Sequence, residues 1–572
     1  MQAPTKHWHY QALPPPEQVE ALASQLNISR IPATLLLQRQ VHDYATAKGF
    51  FRPDLDQLHD PFLMHGMAAA VRRIREAMER QERVLIYGDY DVDGVTSVAL
   101  VYGLLREQYP HVRHFIPSRH TEGYGFSVLG AQAALEQSPD LIITLDCGIN
   151  DVAGVAYARA HGVDTIICDH HLPDAAVAPA AVAILNPQQP ECGYPFKGLS
   201  GCGVGFKLMQ GLLRDQGKSE LPLFGKLDLV AVSICADIVP MTGENRILVH
   251  CGLQKLDKSP SAGLQALRGV VARASQRMSV SNIVFRIAPR LNVAGRLGSA
   301  KEALDLLLCP DRKLAHTLAQ SLEEKNILRR QLEQKAFKEA CQQVEAQPKS
   351  RSVIVVYGQD WNIGILGIVA ARCAERYHLP AVVMGRVADF LVGSGRSAGG
   401  FDLHGALQGC QDLLLSFGGH QQAVGIKMQP QQLDAFRERL DDQVRQCRTP
   451  AQAQPSLIVD MEIELPQLTL QSYRIIQQMA PFGPGNMRPV FSARGVRVSG
   501  PIKKVKESHL AFQLRQGEQA WSAIAFQMID RFAVFNSRHL LDVVFVVREV
   551  HFHDRQYLEL EIRDVSLHQP HP

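Results

Sequence analysis

The sequence lacks any Cys-x-x-Cys pair. Its eleven cysteines are scattered singly, and an odd number leaves one unmatched in any disulfide scheme, so reduced thiols in a cytosol fit best. No uninterrupted apolar run is long enough to span a bilayer, and the opening Met1-Gln2-Ala3-Pro4-Thr5-Lys6 lacks the basic-then-apolar pattern of a signal peptide. A soluble, cytoplasmic chain with no membrane partner is expected. Charge of neither sign dominates: the formal net charge is +3, so any nucleic-acid binding must come from local clusters of Lys and Arg. Internal repeats and low-complexity tracts are missing too. What remains is ordinary globular material, 46% hydrophobic and 20% charged; 572 residues are too many for one core and predict three or four domains.

From Val84 to Pro187, apolar runs end repeatedly in polar punctuation: Val84–Tyr87, Leu141–Leu145, Thr165–Cys168 and Ala181–Leu185. Helix-like stretches, among them Val95–Gln108 and Val152–Ala160, separate them, which predicts an α/β fold with a parallel sheet covered on both faces. Ligands collect at the carboxyl ends of such strands. Gly203–Leu213 and Lys226–Ala236 read as packed helices. Leu314–Val344 carries apolar residues at Leu314, Leu318, Leu322, Ile327, Leu328, Leu332 and Phe337, the pattern of one long amphipathic helix joining two lobes. A second α/β unit starts at Ser352–Tyr357 and continues through Ala381–Met384. Ala451–Pro455 reads as a linker. Beyond it lie short alternating strands (Leu457–Ile463, Val490–Val498, Leu510–Leu514, Trp521–Phe526, Asp542–Phe552, Tyr557–Val565) with a helical insert near Gln471–Met479, compatible with a small OB-type barrel. The expected division is 1–50, an unassigned N-terminal extension; 51–310, the first α/β domain; 311–348, the connecting helix; 349–450, the smaller α/β domain; and 455–572, the β-barrel.

The most informative stretch is Tyr87-Gly88-Asp89-Tyr90-Asp91-Val92-Asp93-Gly94, three carboxylates at every second position directly after an apolar strand. Fixed, alternating negative charge at a strand end is costly unless a cation neutralises it. Asp146 follows the second strand, Asp169-His170-His171 the third, and Asp237 ends the later helix. Asp91, Asp93, Asp146, His170 and Asp237 make an oxygen-rich set with one imidazole, which favours Mn²⁺ or Mg²⁺ over structural Zn²⁺. So many carboxylates exceed what one dication needs, and two ions sharing a bridging Asp would suit the in-line hydrolysis of a phosphoester. The competing reading of Asp89-x-Asp91-x-Asp93-Gly94 is a solvated turn or an EF-hand loop; against the latter, position 12 is Leu100 rather than Glu and a strand precedes it. For the histidines, adjacent side chains on an extended chain point to opposite sides, so at most one is expected to face the rim.

Asp89–Gly94, Leu145-Asp146-Cys147-Gly148, Asp169-His170-His171, Ala236-Asp237-Ile238-Val239-Pro240 and Arg290-Leu291-Asn292-Val293-Ala294-Gly295-Arg296 together resemble the DHH phosphoesterase superfamily, and within it the single-strand-specific DNA exonucleases. Trp361–Ala370, Gly393-Ser394-Gly395-Arg396-Ser397 and Gly418-Gly419-His420 resemble the associated DHHA1 domain, and Pro481-Phe482-Gly483-Pro484-Gly485-Asn486 leads into a tail similar to the family's OB domain. The resemblance covers the chain from about Arg52 to His568. Val92 and Val293 stand where the family often has Ala. The family likeness implies a 5′→3′ exonuclease of single-stranded DNA, in DNA repair and recombination, that holds the strand in a cleft between a DHH and a DHHA1 lobe and releases 5′-mononucleotides. It implies two divalent ions, Mn²⁺ or Mg²⁺, on Asp91, Asp93, Asp146, His170 and Asp237, with Asp146 bridging; Asp89 supporting the first loop; and His171 beside the scissile phosphate.

By the same resemblance Arg119, Asn292, Arg296, Ser394 and Arg396 form a 5′-phosphate pocket, to which guanidinium forks and glycine-exposed amides are suited. His420 is either a phosphate contact or a turn residue. In the tail, Lys503, Lys504 and Lys506 near Phe512, Trp521 and Phe526 suggest a basic groove with stacking aromatics, the alternative being that these aromatics are barrel core. A monomer is expected, with single-stranded DNA as substrate; a single-strand-binding protein and a RecQ-type helicase are partners by resemblance alone. Two other readings are a phosphoesterase of the same superfamily acting on short oligonucleotides, pAp or pyrophosphate, which the β-rich tail disfavours, and a non-catalytic replication scaffold, which the full ligand set disfavours.

Overall fold

The computed structural model describes residues 6–119, 121–174, 177–271, 277–348, 350–552 and 555–569. Two compact units emerge. One consists of Arg52–Leu332 with Pro481–Asn486, and the other of the described residues up to Phe51, Glu333–Ala480 and those from Met487 onward.

In the first unit five strands form one parallel sheet in the order Val112–Phe115, Val84–Gly88, Leu141–Leu145, Asp164–Cys168, Ala183–Leu185. Alternation along each strand splits its side chains between two apolar layers. Val84, Ile86, Leu141, Ile143 and Leu145 enter the larger core, while Leu85, Tyr87 and Ile142 enter a smaller one under helix Val152–Ala160. Register then decides where the acids lie. Gly88 pairs with Leu145 and Leu145 with Cys168, and the next residues carry the ladder one step further: Asp89 N–H donates to Leu145 O, Asp146 N–H to Cys168 O, Asp169 N–H to Leu185 O. Three acids from three strands therefore reach the same rim.

In the second unit a mixed sheet runs Ser416–His420, Ala423–Met428, Phe390–Arg396, Ala381–Val387, Ile354–Gly358, parallel only between the last two. The C-terminal strands Phe491–Val505, His509–Gln516, Gln519–Ala525, Arg555–Leu567 and Leu541–Phe552 close into a five-stranded barrel, because the first also pairs with the last. Closure removes sheet edges and suits an OB fold.

Two sequence expectations are corrected. The stretch 451–455, read as a linker, is largely taken up by the short helix Pro450–Ala453, which Pro450 starts and a Thr449–Gln452 capping box secures. Leu457–Ile463 is two strands with different partners, Ser456–Val459 and Met461–Glu462. In the N-terminal stretch left unassigned from the sequence, the described residues hold the strand His7–Tyr10, paired in parallel with Ser456–Val459, and then helices Pro16–Leu26, Arg30–Gln38 and Tyr44–Phe51. The helix read as Leu314–Val344 spans Arg312–Ala346. Among the described residues no helix is long and apolar enough to cross a membrane.

Candidate metal centre

Each acid of the rim is fixed by the local chain. Asp91 caps the helix Val92–Gln108, its Oδ1 accepting the Gly94 N–H at 3.1 Å. Gly94 is required there, since a Cβ would lie 2.3 Å from the Asp89 carbonyl oxygen. Asp93, one residue into the helix and buried, accepts three hydrogen bonds: from Gly201 N–H (2.7 Å), Cys202 N–H (2.8 Å) and Ser233 Oγ–H (2.7 Å). The first two donors open the helix Gly201–Asp215, whose positive end faces the carboxylate. Asp146 sits at φ +63°, unusual for a non-glycine residue, with Gly201 packed so closely that a Cβ would meet its Oδ1 at 2.6 Å.

These groups converge on His170. Its Nε2 lies 3.2 Å from Asp146 Oδ1, 3.5 Å from Asp237 Oδ2 and 3.8 Å from Asp93 Oδ2, yet makes no hydrogen bond among the described residues. Asp146 Oδ1 and Asp89 Oδ1 are likewise buried without a hydrogen-bond partner there. Ligand atoms of Asp93, His170 and Asp237 lie within 4.8 Å of one another, as do those of Asp146, His170 and His171, and of Asp89, Asp91 and Asp146. Burial and then neighbouring carboxylates push Asp89, Asp91 and Asp146 above the usual carboxylate range, and Asp237 up to about 8. Burial lowers His170, keeping its imidazole neutral and its lone pair available. Orphaned acceptors facing one another and a neutral imidazole are what bound dications would satisfy. The donor set, all oxygen but for imidazole nitrogen and free of thiolate, fits Mn²⁺ or Mg²⁺.

The expectation that only one histidine faces the rim is corrected. The chain is not extended after Cys168, and the His170 and His171 rings lie 4.6 Å apart on the same side. The bend is organised by Asp169, which the sequence reading left without a role. Its carboxylate, buried, accepts from Ile149 N–H (3.0 Å), His170 N–H (2.7 Å), His171 N–H (3.1 Å) and His171 Nδ1 (2.7 Å). Although burial opposes it, the His171 bond holds Asp169 down at about 2 and, in return, His171 is raised to about 9. His171 Nε2 also meets the hydroxyl of Tyr124 at 3.2 Å, another neighbour the sequence reading passed over. Tyr124 stands between Gly123 and Gly125, both at positive φ, so it is presented at a turn tip, 56% exposed.

Arg119 stacks on Tyr90, guanidinium carbon 4.3 Å from the ring centroid. Gly295 brings the end of helix Ala288–Leu297 against the same residue, leaving only 2.9 Å between a Cβ and the Tyr90 carbonyl oxygen. Arg296 follows Gly295 on that helix and, with Arg119, acts electrostatically on Tyr90, next to the acids; half-buried Asn292 lies one turn earlier on the same helix.

In the other unit Arg396 Nη1 donates to Ser394 Oγ (3.0 Å) and Gly395 O (2.8 Å). Gly367, in the first turn of helix Leu366–Tyr377, approaches so closely that a Cβ would meet Arg396 Nη2 at 2.9 Å and Ser394 Oγ at 3.0 Å. Helix N-terminus, guanidinium and hydroxyl thus face one point, an arrangement suited to an anion. His420 is exposed and pairs with Ala423, itself in register with Arg396, so it lies at the same sheet level two strands away. On the barrel, Lys503, Lys504 and Lys506 are exposed; Lys504 lies over Phe532 at 5.2 Å. Phe512 is barrel core, packed on Phe535, as the alternative reading had it, whereas Phe526 is exposed beneath Arg548. Trp521 is half-buried, its Nε1 lacking a hydrogen-bond partner among the described residues, and it lines a shallow pocket of about 440 Å³ with Leu470 and Tyr557.

The order of these motifs is matched by three family models: the DHH family N-terminal domain over residues 83–234, the DHHA1 domain over 350–446 and the RecJ OB domain over 459–564. The chain is 35% identical over 457 residues to the single-stranded-DNA-specific exonuclease RecJ of Dickeya dadantii, covering 76% of this chain and 79% of that one. It belongs to the RecJ family. The RecJ of Bacillus subtilis is 34% identical over 530 residues, 92% of this chain; the chain spans 66% of that longer protein. The crystal structure of RecJ from Thermus thermophilus in complex with Mn²⁺ superposes with a TM-score of 0.84 at 28% identity, covering 99% of this chain and 80% of that one. A second structure, exonuclease RecJ bound to manganese, gives 0.61 at 31% identity over 73% of this chain.

Proposed function

We propose that this chain is a metal-dependent exonuclease that degrades single-stranded DNA from its 5′ end and releases 5′-mononucleotides. The observation that carries the reading is the rim of buried carboxylate and imidazole atoms that lack hydrogen-bond partners among the described residues, in a chain of the RecJ family, whose named relatives are single-stranded-DNA-specific exonucleases. In this reading Asp91, Asp93, Asp146, His170 and Asp237 would hold two divalent ions. Bound there, they would supply Lewis-acid polarisation of the phosphodiester and a more acidic attacking water. Asp93 is held rigid by the helix terminus of Gly201. Asp89 supports the first loop through the close packing at Gly94. Asp169 fixes the His171 ring, so that a charged imidazole is presented where negative charge grows on the phosphate or leaving oxygen.

The 5′ polarity is assigned to Arg119, Asn292 and Arg296 in the first unit and, by resemblance, to Ser394, Arg396 and His420 in the second. Lys503, Lys504, Lys506 and Trp521 are assigned to holding the strand on the barrel. A cytoplasmic monomer working with a single-strand-binding protein and a RecQ-type helicase rests on the resemblance alone.

The test is digestion of a single strand labelled at one terminus, with Mn²⁺, with Mg²⁺ and with chelator. Release of the 5′ label as mononucleotide, dependent on metal, is expected. Shortening from the 3′ end, or undiminished release in chelator, overturns the reading.

A further inference from the structure

None of the chemistry above uses the motif Pro481-Phe482-Gly483-Pro484-Gly485-Asn486. These six residues cluster with the unit that carries the acidic rim, although the sequence on both sides clusters with the other unit. They form a small closed loop. Gly483 and Asn486 exchange backbone hydrogen bonds at 3.0 and 2.9 Å, buried Asn486 donates from Nδ2 to Pro481 O at 2.8 Å, and Gly485 stands at φ +75°. The loop is seated on Met241 and Thr242. Met241 N–H donates to Pro484 O at 2.6 Å, a Cβ on Gly483 would lie 3.0 Å from Met241 Cβ, and one on Gly485 would lie 2.9 Å from Thr242 Cγ2.

Met241 is four residues beyond Asp237, and the chain between them is under strain. Ile238, β-branched and 62% exposed, is held at φ +59°. A conformation of that kind persists only if its flanks are pinned. Two pins are present. Buried Asn245 donates from Nδ2 to Pro240 O at 2.9 Å and to Gly198 O, tying this segment to the approach of the helix terminus that holds Asp93. The Pro484 carbonyl is the second.

We propose that the Pro481–Asn486 loop is a positioning element for Asp237, locking the strained turn that aims its carboxylate at the rim. The inference rests on the metal reading and adds to it a dependence of metal affinity on a segment remote in sequence. Asn at position 485 tolerates positive φ, so Gly485→Asn isolates the steric contact with Thr242. Mn²⁺ uptake by the full-length chain is measured by titration calorimetry, beside the Mn²⁺ concentration giving half-maximal hydrolysis and the melting temperature. Gly485→Asn is expected to weaken Mn²⁺ binding roughly 10-fold, the scale on which partners that orient a ligand act. Removing the facing methyl with Thr242→Ser is expected to restore most of that loss. If Gly485→Asn does not fold, Asn486→Ser, which removes the bond to Pro481 O, is expected to weaken binding about 3-fold, a smaller step on the same scale.

Mn²⁺ affinity equal to that of the unmodified chain in the variant that folds, even with a lowered melting temperature, overturns the inference, because a merely structural loop would behave that way. So does a loss that Thr242→Ser leaves unrepaired. No Mn²⁺ uptake by the unmodified chain strikes the metal assignment itself and takes the inference with it.

Discussion

Acids are buried in both units of this molecule, in opposite ways. In the unit containing the barrel, Asp460 accepts from Val490 N–H (2.8 Å) and lies 3.9 Å from Arg39; Asp564 accepts from Trp8 Nε1 (2.8 Å); Asp441 accepts from Ser352 N–H and is paired with Arg445. Each has its donors. At the rim of the parallel sheet, Asp89 and Asp146 keep oxygens with none among the described residues, while more carboxylates stand beside them. A buried charge is tolerated when donors or a counter-ion satisfy it, and repulsion between acids is tolerated only when something else supplies positive charge. Burial alone therefore does not mark an acid as functional; burial without donors, next to another acid, does.

The largest effect that would sharpen this contrast is on Asp93. Asp93→Ala is expected to lower hydrolysis by on the order of 10³-fold or more, since a dication's charge stabilisation is worth several kcal/mol and each ~1.4 kcal/mol is tenfold. Strand binding should stay within about threefold, the Lys and Arg groups being untouched. Three donors of the Gly201 helix and Ser233 also lose their acceptor, so stability should fall by ~3 kcal/mol. Activity retained under strict metal control would break the comparison outright.

Next comes pH. In the metal-free protein Asp237 keeps its proton up to about 8, whereas the unfolded chain releases it near 3.8. A raised folded pKa means that stability is full below the lower value and lost as pH climbs to the higher one. His171, raised to about 9, contributes in the same sense between pH 6.5 and 9. Asp169, held at about 2, matters only in acid, where it acts the other way. The melting temperature in chelator should thus fall from pH 5 to pH 8. Because the ions need deprotonated carboxylates, Mn²⁺ should raise it more at pH 8 than at pH 5. Scanning calorimetry showing a flat metal-free profile would count against the crowded-acid picture.

Smaller is the effect expected for Arg396→Ala: KM raised about tenfold for a 5′-phosphorylated strand, the value of one charge-assisted contact, and hardly at all for a 5′-hydroxyl strand. An equal change for both would remove Arg396 from phosphate recognition.

Much of this was legible in the sequence wherever signals are local. Val84–Tyr87, Leu141–Leu145 and Thr165–Cys168 are largely apolar runs, and in a parallel sheet their ends fall at one rim, so the meeting of Asp89, Asp146 and His170 followed from strand register. The turn after Cys168 was not legible, because the even spacing of an extended chain gives no warning that Asp169 will gather four donors and fold His170 and His171 to one side. Nor was the N-terminal segment: His7–Tyr10 is four residues long and mostly exposed, and its partner Ser456–Val459 lies at the other end of the chain. Nothing in the composition of either predicts the pairing.

That segment supplies the last and smallest test. Trp8 binds Asp564 through a single indole N–H, and the backbone ladder of His7–Tyr10 holds the segment regardless. Trp8→Phe keeps an aromatic side chain, though a smaller one, and removes the donor, leaving a carboxylate that is only 3% exposed short of one partner. The expected loss is ~1–2 kcal/mol of stability, read from denaturant midpoints at constant slope. Turnover at saturating Mn²⁺ and Mn²⁺ affinity should not move, because Asp564 belongs to the other unit and takes no part in the rim. If Mn²⁺ affinity fell along with stability, the distinction between donor-satisfied and cation-requiring acids would fail at the site where it is least expected to.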